Sequence, residues 1–287
     1  MKKIVIIFIC LLLCSCTKEI DYIDVNSINV FDVDNKEEFS FEINGNEYML
    51  VDLSEFKTLY AKDTNKKIYP ASLTKLVTLD TVLNLESDLD NNSSSLSYEQ
   101  IVSLINEDAS LAGLMHDYEY TLKDLLYALI LPSGADAAIA LENYFENKNI
   151  NLIEEMNKHV MSLGCENSNF VNTTGLHDDN HYSSLDDLFM VVLDILNYKE
   201  GRIILETLEY KLEDETKLMS TVRPIVNKNV LVLGGKTGYT PESGQSIVSL
   251  FKHKNKSYIL MIGNAMRRSY DEHLHYDDSI EIFNELY

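Results

Sequence analysis

The 287-residue sequence predicts an α+β fold: an antiparallel β-sheet built from both chain ends, flanked by helices, with an inserted helical lobe. Three observations predict it. Short strand-like runs follow residue 38, three longer ones close the chain, and the stretch between reads as capped helices. Strands, then helices, then strands bring the first and last strands into one sheet, unlike the alternating pattern of a βαβ fold.

"FSFEINGNEYMLVDL" alternates at Phe39, Phe41 and Ile43 and then meets Asn44-Gly45, a dipeptide that predicts a hairpin. "FKTLYAK" predicts a further short strand after a turn near Ser54 and Glu55. From Pro70 to Leu85, Leu73, Leu76, Val77, Leu79, Val82 and Leu83 cover most of a helix circumference, which predicts an internal helix. Pro70 suits its start, where no backbone donor is needed. "SDLDNNSSSLS" reads as a loop. "YTLKDLLYALIL" opens on a Thr121…Asp124 capping box and stops at Pro132, and "ADAAIALENYF" follows after the Ser133-Gly134 link. The helical lobe is placed at approximately 86–215. "VLVLGGKTG", "QSIVSLFK" and "SYILMIGN" return to strands, the last two joined by a turn at "HKNK", and a closing helix is expected near 271–286.

The N-terminus predicts export. Met1-Lys2-Lys3 is positive, and Ile4 to Leu13 is apolar but too short to span a bilayer. "LCSC" resembles a bacterial lipobox, so residues 1–16 are expected to be a lipoprotein signal, with Cys16 as the acylated residue. Residues 17–38 read as an acidic tether and 39–287 as the functional domain. The formal net charge of −22 argues against nucleic acid, whose phosphates need clustered Lys and Arg, and against electrostatic attachment to anionic lipid. Attachment to the membrane would therefore rest on the N-terminal lipid. Cys10, Cys14 and Cys16 lie in the signal, which leaves Cys165 with no disulfide partner; it is expected to be a small buried hydrophobe.

Ser72 and Lys75 open the internal helix. Residues three apart share a helix face, and the first turn offers free N–H groups to a developing negative charge. A serine hydroxyl needs a neighbouring base to attack, and lysine is a base only when neutral. Apolar burial or a nearby cation lowers its pKa from about 10.4 far enough. The spacing alone is weak evidence, because Ser-x-x-Lys also occurs at Ser15, Ser54 and Ser249. The pair at 72 is distinguished by its internal helix and by its company: "LPSGADAA", and "GGKTGYTPESG" with Lys236-Thr237-Gly238 on an expected strand. There a lysine supplies positive charge, a threonine hydroxyl can bind a carboxylate, and a glycine lets substrate approach the backbone.

With these three motifs in this order, the sequence resembles the D-alanyl-D-alanine carboxypeptidases, the low-molecular-weight penicillin-binding proteins. The similarity extends to "YMLVDLSEFKTLYAKDTNKKIYPASLTKL", "SLAGLMHDYEYTLKDLLYALILPSGADAA" and "FVNTTGLHDDNHYSSLDDL". The resemblance implies a serine peptidase with no cofactor, peptidoglycan stem peptides ending in D-Ala-D-Ala as substrate, and β-lactams as ligands. It implies an extracytoplasmic location. It implies Ser72 as nucleophile, Lys75 as general base and Ser133 in proton relay. Lys236, Thr237 and Gly238 would line the substrate carboxylate site, and the N–H groups of Ser72 and Tyr239 the oxyanion hole. Lys256 stands where the family often carries an arginine for that carboxylate.

Two departures stand out. The family's middle motif usually ends in asparagine, whereas this chain has Ser133-Gly134-Ala135, which opens the alternative of a weak or inactive muropeptide-binding protein. A β-lactamase is the further alternative, but the "ExxLN" loop that such enzymes use for deacylation is absent, with "EEMNK" at 154–158 the nearest stretch. His177, Asp178, Asp179 and His181 look like a metal cluster or part of a Ser-His-Asp triad; their irregular spacing favours neither, and no metal is expected.

Overall fold

Strand β1 (Glu47–Asp52) is buried along its whole length, which requires a neighbour on each edge and cover on both faces. The computed structural model, which describes residues 38–266, 269 and 272–286, supplies all of these. β2 (Lys57–Lys62) pairs antiparallel with one edge and β9 (Lys256–Ala265) with the other. β8 (Gly244–His253) and β7 (Leu231–Thr240) complete a five-stranded sheet in the order β2-β1-β9-β8-β7. The two chain ends thus share one sheet, with β7 at its edge.

The period of two sends Met49, Val51, Val248 and Met261 to one face, where they join the helical core. Tyr48, Leu50, Ile247 and Leu260 go to the other, against Ile282 and Phe283 of α8 (Leu274–Glu285). Because both faces are covered, these strands read as nearly continuous apolar runs. The "HKNK" turn is a tight hairpin in which Lys254 and Asn255 both take positive φ.

Between β2 and β7 the chain is mostly helical, with two short ribbons in which β3 (Ser93–Ser94) pairs β4 (Tyr120–Thr121) and β5 (Glu209–Lys211) pairs β6 (Lys217–Met219). α1 (Thr74–Leu85) lies at the centre, packed by α3 (Leu122–Ile130), α5 (Leu152–Ser162) and α6 (Leu185–Asn197). It is buried almost all round, as its apolar circumference implied. Its buried threonines are bonded: Thr78 Oγ1 donates to Thr173 O at 2.9 Å, and Thr81 Oγ1 to Val77 O at 2.8 Å. Asp80, fully buried, faces His159 of α5 at 2.9 Å, and Asp194 of α6 approaches the same imidazole nitrogen at 3.4 Å. This charged triad joins three helices.

The loop at 86–96 leads to α2 (Tyr98–Asn106), opened by a full Ser97/Gln100 capping box. At α3 the expected box is half made. Thr121 Oγ1 accepts the Asp124 N–H at 3.0 Å, but the Asp124 carboxylate takes the Tyr210 hydroxyl at 2.9 Å. α4 (Ala135–Asn147) follows the Ser133-Gly134 link directly, and α7 (Lys199–Leu205) follows α6.

One expected element is corrected. Among the described residues no strand precedes Asn44, so Asn44-Gly45 is not a hairpin turn. The Asp278 carboxylate of α8 instead accepts the Asn44 N–H at 2.9 Å, the Gly45 N–H at 2.9 Å and the Asn44 amide at 2.7 Å. Phe39 stacks on Tyr60 with ring centroids 4.4 Å apart. The dipeptide marks a bend, and a long-range carboxylate supplies what strand pairing would have supplied. Cys165 is buried with its Sγ 3.5 Å from the Asp187 carbonyl, and burial raises its thiol pKa, so it is inert packing as expected. No helix among the described residues is long and apolar enough to cross a membrane. The expected signal, Cys16 and most of the tether lie outside the described residues.

Candidate active site

Ser72 sits in a 3-10 turn, Ala71–Leu73, immediately before α1 rather than within its first turn. Pro70 and a positive φ of 47° at Ala71 bend the chain sharply there. The 3-10 turn runs into α1 without a break, so the shared face survives: Lys75 Nζ lies 3.0 Å from Ser72 Oγ. The Lys75 side chain is buried, and desolvation pushes its ammonium down to about 7, against an opposing pull from the Asp136 carboxylate. Its second contact is the Thr174 carbonyl, at 2.5 Å. A neutral amine donating to Thr174 has its lone pair free to face the serine hydroxyl.

The loop that brings Thr174 is tightly specified. Asn172 Oδ1 accepts the Gly175 N–H at 2.7 Å and the Thr174 hydroxyl at 3.1 Å. Gly175 has φ +81°, and a Cβ there would lie 1.9 Å from the Ala71 carbonyl oxygen. Only glycine permits that approach to the 3-10 turn that carries Ser72.

Ser133, at φ +67° between α3 and α4, directs its hydroxyl to the sheet, where Lys236 Nζ donates to it at 2.8 Å. Lys236 is fully buried on β7 and also bonds the Thr237 carbonyl at 2.6 Å. Burial lowers its pKa well below that of an ordinary lysine, and the charge of Lys75 lowers it further. Gly238 brings β7 against the serine: a Cβ there would lie 2.9 Å from the Pro70 carbonyl and 3.3 Å from the Ser72 nitrogen. Tyr239 follows, partly exposed. Two lysine–serine pairs, one at the start of α1 and one spanning sheet and lobe, thus converge where β7 meets the 3-10 turn.

Ala135 is buried, and its N–H donates to the Ser110 carbonyl at 2.7 Å; no side-chain amide stands at this position. The adjacent Asp136 carboxylate accepts the N–H groups of Ala112, Gly113 and Leu114 at 2.9, 2.9 and 3.0 Å and that of Ala137 at 3.0 Å. It therefore fixes the 112–114 loop beside Ser133 and has no lone pair left over for activating water.

Lys256 does not belong to this group. It opens β9 opposite His253, whereas Lys236 pairs through Val248 to Met261, five residues along, or about 17 Å of strand. Its amine is held by Asp52 at 3.0 Å and by Glu55. The positional match misled because β9 begins at the far end of the sheet. Of the apparent metal cluster, only the side chains of His177 and Asp179 approach each other, at 3.6 Å. His181 bonds Thr74, His177 packs edge-on against Tyr69, and Asp178 accepts the Asn180 N–H. Thr174 was missed because it acts through a carbonyl, which any residue carries. Asp136 was missed because its partners are backbone amides 22–24 residues away.

A family model described as D-alanyl-D-alanine carboxypeptidase matches residues 33–266. The chain is 30% identical over 227 residues to the Bacillus subtilis D-alanyl-D-alanine carboxypeptidase DacF, covering 76% of this chain and 56% of that protein. It is 28% identical over 218 residues to a Streptomyces D-alanyl-D-alanine carboxypeptidase, covering 70% of this chain and 74% of that one. It spans little more than half the length of the Bacillus subtilis and Haemophilus influenzae carboxypeptidases it matches. Among solved structures, a Streptomyces DD-transpeptidase superposes with a TM-score of 0.74 at 22% identity, over 86% of this chain and 98% of that one. An ampicillin-bound penicillin-binding protein from Listeria monocytogenes gives 0.68 at 21% identity, with 86% and 98% covered.

Proposed function

Because this chain belongs to the D-alanyl-D-alanine carboxypeptidase family, we propose that it is a serine D,D-carboxypeptidase that removes the terminal D-alanine of peptidoglycan stem peptides. The observation that carries the reading is the 3.0 Å approach of a buried, pKa-lowered Lys75 amine to the Ser72 hydroxyl.

The neutral Lys75 amine takes the Ser72 proton as Oγ attacks the D-Ala-D-Ala carbonyl. The oxyanion forms between the N–H groups of Ser72 and Tyr239, where one donor is worth about 3 kcal/mol of transition-state stabilisation. Ser133 gives its hydroxyl proton to the departing D-alanine amine and regains one from the Lys75 ammonium, which leaves Lys75 neutral again. Lys236 and Thr237 hold the substrate carboxylate, which gives the buried amine of Lys236 a counter-charge. Water then attacks the acyl carbonyl, with Lys75 again as base. A penicillin would acylate the same serine and leave slowly. The proposed setting is the outer face of a bacterial membrane, with acylated Cys16 as anchor and residues 17–38 as tether.

Ala135 favours a second reading, a protein that binds muropeptide or penicillin and turns over poorly. Its missing amide costs one contact to substrate backbone, about 1–3 kcal/mol, or roughly ten- to hundred-fold in rate. Fluorescent penicillin applied to the native protein and to Ser72→Ala tests both. A Ser72-dependent adduct together with D-alanine release from a D-Ala-D-Ala pentapeptide is the expected result. An adduct without D-alanine release supports the binding protein, fast release of hydrolysed drug supports a β-lactamase, and no adduct ends the acyl-enzyme reading.

A further inference from the structure

We propose that His181 is a positioning residue for the Ser72–Lys75 pair, its imidazole locking the loop that carries Thr174 onto the first turn of α1. The inference rests on the acyl-transfer reading above and extends it to a residue that touches neither substrate nor nucleophile.

The two ring nitrogens have separate, fixed tasks. The Val171 backbone N–H donates to Nδ1 at 3.1 Å. A backbone amide can only donate, so Nδ1 carries no proton. The ring hydrogen is therefore on Nε2, which donates to Thr74 Oγ1 at 2.7 Å. One bond ends on the loop three residues before Thr174, and the other on the residue immediately before Lys75. The ring is buried, with the edge of Phe170 against it at a centroid distance of 5.4 Å.

This bridge closes a frame. At its far end Gly175 lies under the Ala71 carbonyl, and in the middle Thr78 of α1 holds the Thr173 carbonyl at 2.9 Å. The Thr174 carbonyl, between these supports, accepts a hydrogen from Lys75 and so decides where the amine's lone pair points. If the loop moves away, the amine loses its orienting partner and gains water. The regained hydration favours the ammonium and outweighs the loss of one carbonyl acceptor, because desolvation is the largest cause of the lowered Lys75 pKa; a protonated Lys75 cannot accept the serine proton.

The arrangement holds over the working pH range. Burial pushes the His181 imidazolium down to about 4; the charges of His177 and Lys75 act in the same direction, and Asp178 opposes them. The ring thus stays neutral while Lys75, pushed down to about 7, titrates.

Long-range proton–nitrogen spectra of the native protein should show His181 as the Nε2–H tautomer from pH 5.5 to 8.5. The variant His181→Gln keeps a donor for Thr74 and removes the acceptor for Val171. It should acylate with fluorescent penicillin at least tenfold more slowly, its acid limb displaced upward by half a pH unit or more, with unchanged affinity in the noncovalent step. Thr74→Val, cutting the other bond, should shift the limb in the same direction. A ring that titrates near 6.5, or a slower variant whose acid limb does not move, overturns the proposal. Should the native protein take no label, the proposed function fails, and amide exchange of Val171 still decides this inference. Faster exchange in His181→Gln supports it, and equal exchange overturns it.

Discussion

The Lys236 amine on β7 donates to the Ser133 hydroxyl across 2.8 Å, tying the edge of the sheet to the link between α3 and α4. The bond places a hydroxyl, rather than water, next to a fully buried lysine. Ser133→Ala should therefore slow acylation by about a hundredfold, the lower end of what a positioned proton-transfer group contributes. Folding stability should fall by only about 1–3 kcal/mol, because Lys236 keeps its bond to the Thr237 carbonyl. Stopped-flow labelling and thermal melts separate the two effects, and an unchanged acylation rate would take Ser133 out of the proton path.

Lys75 makes activity and stability pull in opposite directions. Its native pKa is lowered to about 7 by burial, whereas an unfolded lysine stays protonated to about 10.4. Between these values the unfolded chain binds more protons, so this residue's contribution makes stability rise with pH across that window. Acylation should rise through about pH 7 for the same reason, as the amine becomes a base. Lys75→Met should abolish acylation and stabilise the fold at pH 7 by roughly 1–4 kcal/mol, the range found when apolar side chains replace buried ionic groups. Melting temperature and penicillin labelling of one preparation report both.

The path from residues to site was legible wherever side-chain identity and spacing carried the information. The apolar circumference from Leu73 to Leu83 announced a buried helix, and Lys236-Thr237-Gly238 on a strand announced the sheet edge that meets it. What the sequence could not show were contacts between distant backbone groups. The Thr174 carbonyl on Lys75 spans 99 residues, and the Asp278 cap on Asn44 spans 234. Lys256 failed for a related reason: matching residue types does not reveal at which end of a strand a residue falls.

Ala135 is where this chain leaves the family pattern, and reversal is direct. Ala135→Asn restores an amide beside Ser133 without touching the Asp136 clamp, whose partners are the 112–114 and Ala137 amides. D-alanine release should increase about ten- to hundredfold, the equivalent of one recovered hydrogen bond of about 1–3 kcal/mol. A rate that stays flat in a pentapeptide assay would mean that the pocket has already compensated for the missing side chain.

Gly175 and Gly113 form a matched pair. Both take positive φ, +81° and +86°, but a Cβ at 175 would meet the Ala71 carbonyl oxygen at 1.9 Å, while at 113 it would meet nothing within 4 Å. Gly113→Ala should cost only its backbone strain, about 1 kcal/mol, and spare activity. Gly175→Ala adds a clash with backbone that cannot rotate away, so the loss should exceed about 2 kcal/mol and labelling should collapse as Thr174 is pushed from Lys75. Denaturant melts of the two variants under one condition make the comparison.

The triad of Asp80, His159 and Asp194 gives a pH signature separate from the site. Burial opposes a charge on His159, but the hydrogen bonds it donates to Asp194 and Asp80 outweigh it and raise its pKa to about 9; burial raises Asp80 to about 7. The native His159 keeps a proton that an unfolded histidine loses near 6.5, so its stabilising contribution is fully present below that pH and is lost as pH rises through about 9. Lys75 has the opposite slope over part of this range, so the readout must be a difference between variants. The stability gap between the native protein and His159→Gln should be about 3 kcal/mol at pH 6, since the two acids on neighbouring helices lose the imidazolium donor they share. It should shrink by at least half by pH 9.5. Asp80→Asn in the same background should recover little at pH 6, where the buried acid is already neutral, and more above pH 7, where a neutral amide replaces a buried charge. A gap independent of pH would mean that His159 is neutral in the native state and that the three helices are held by packing.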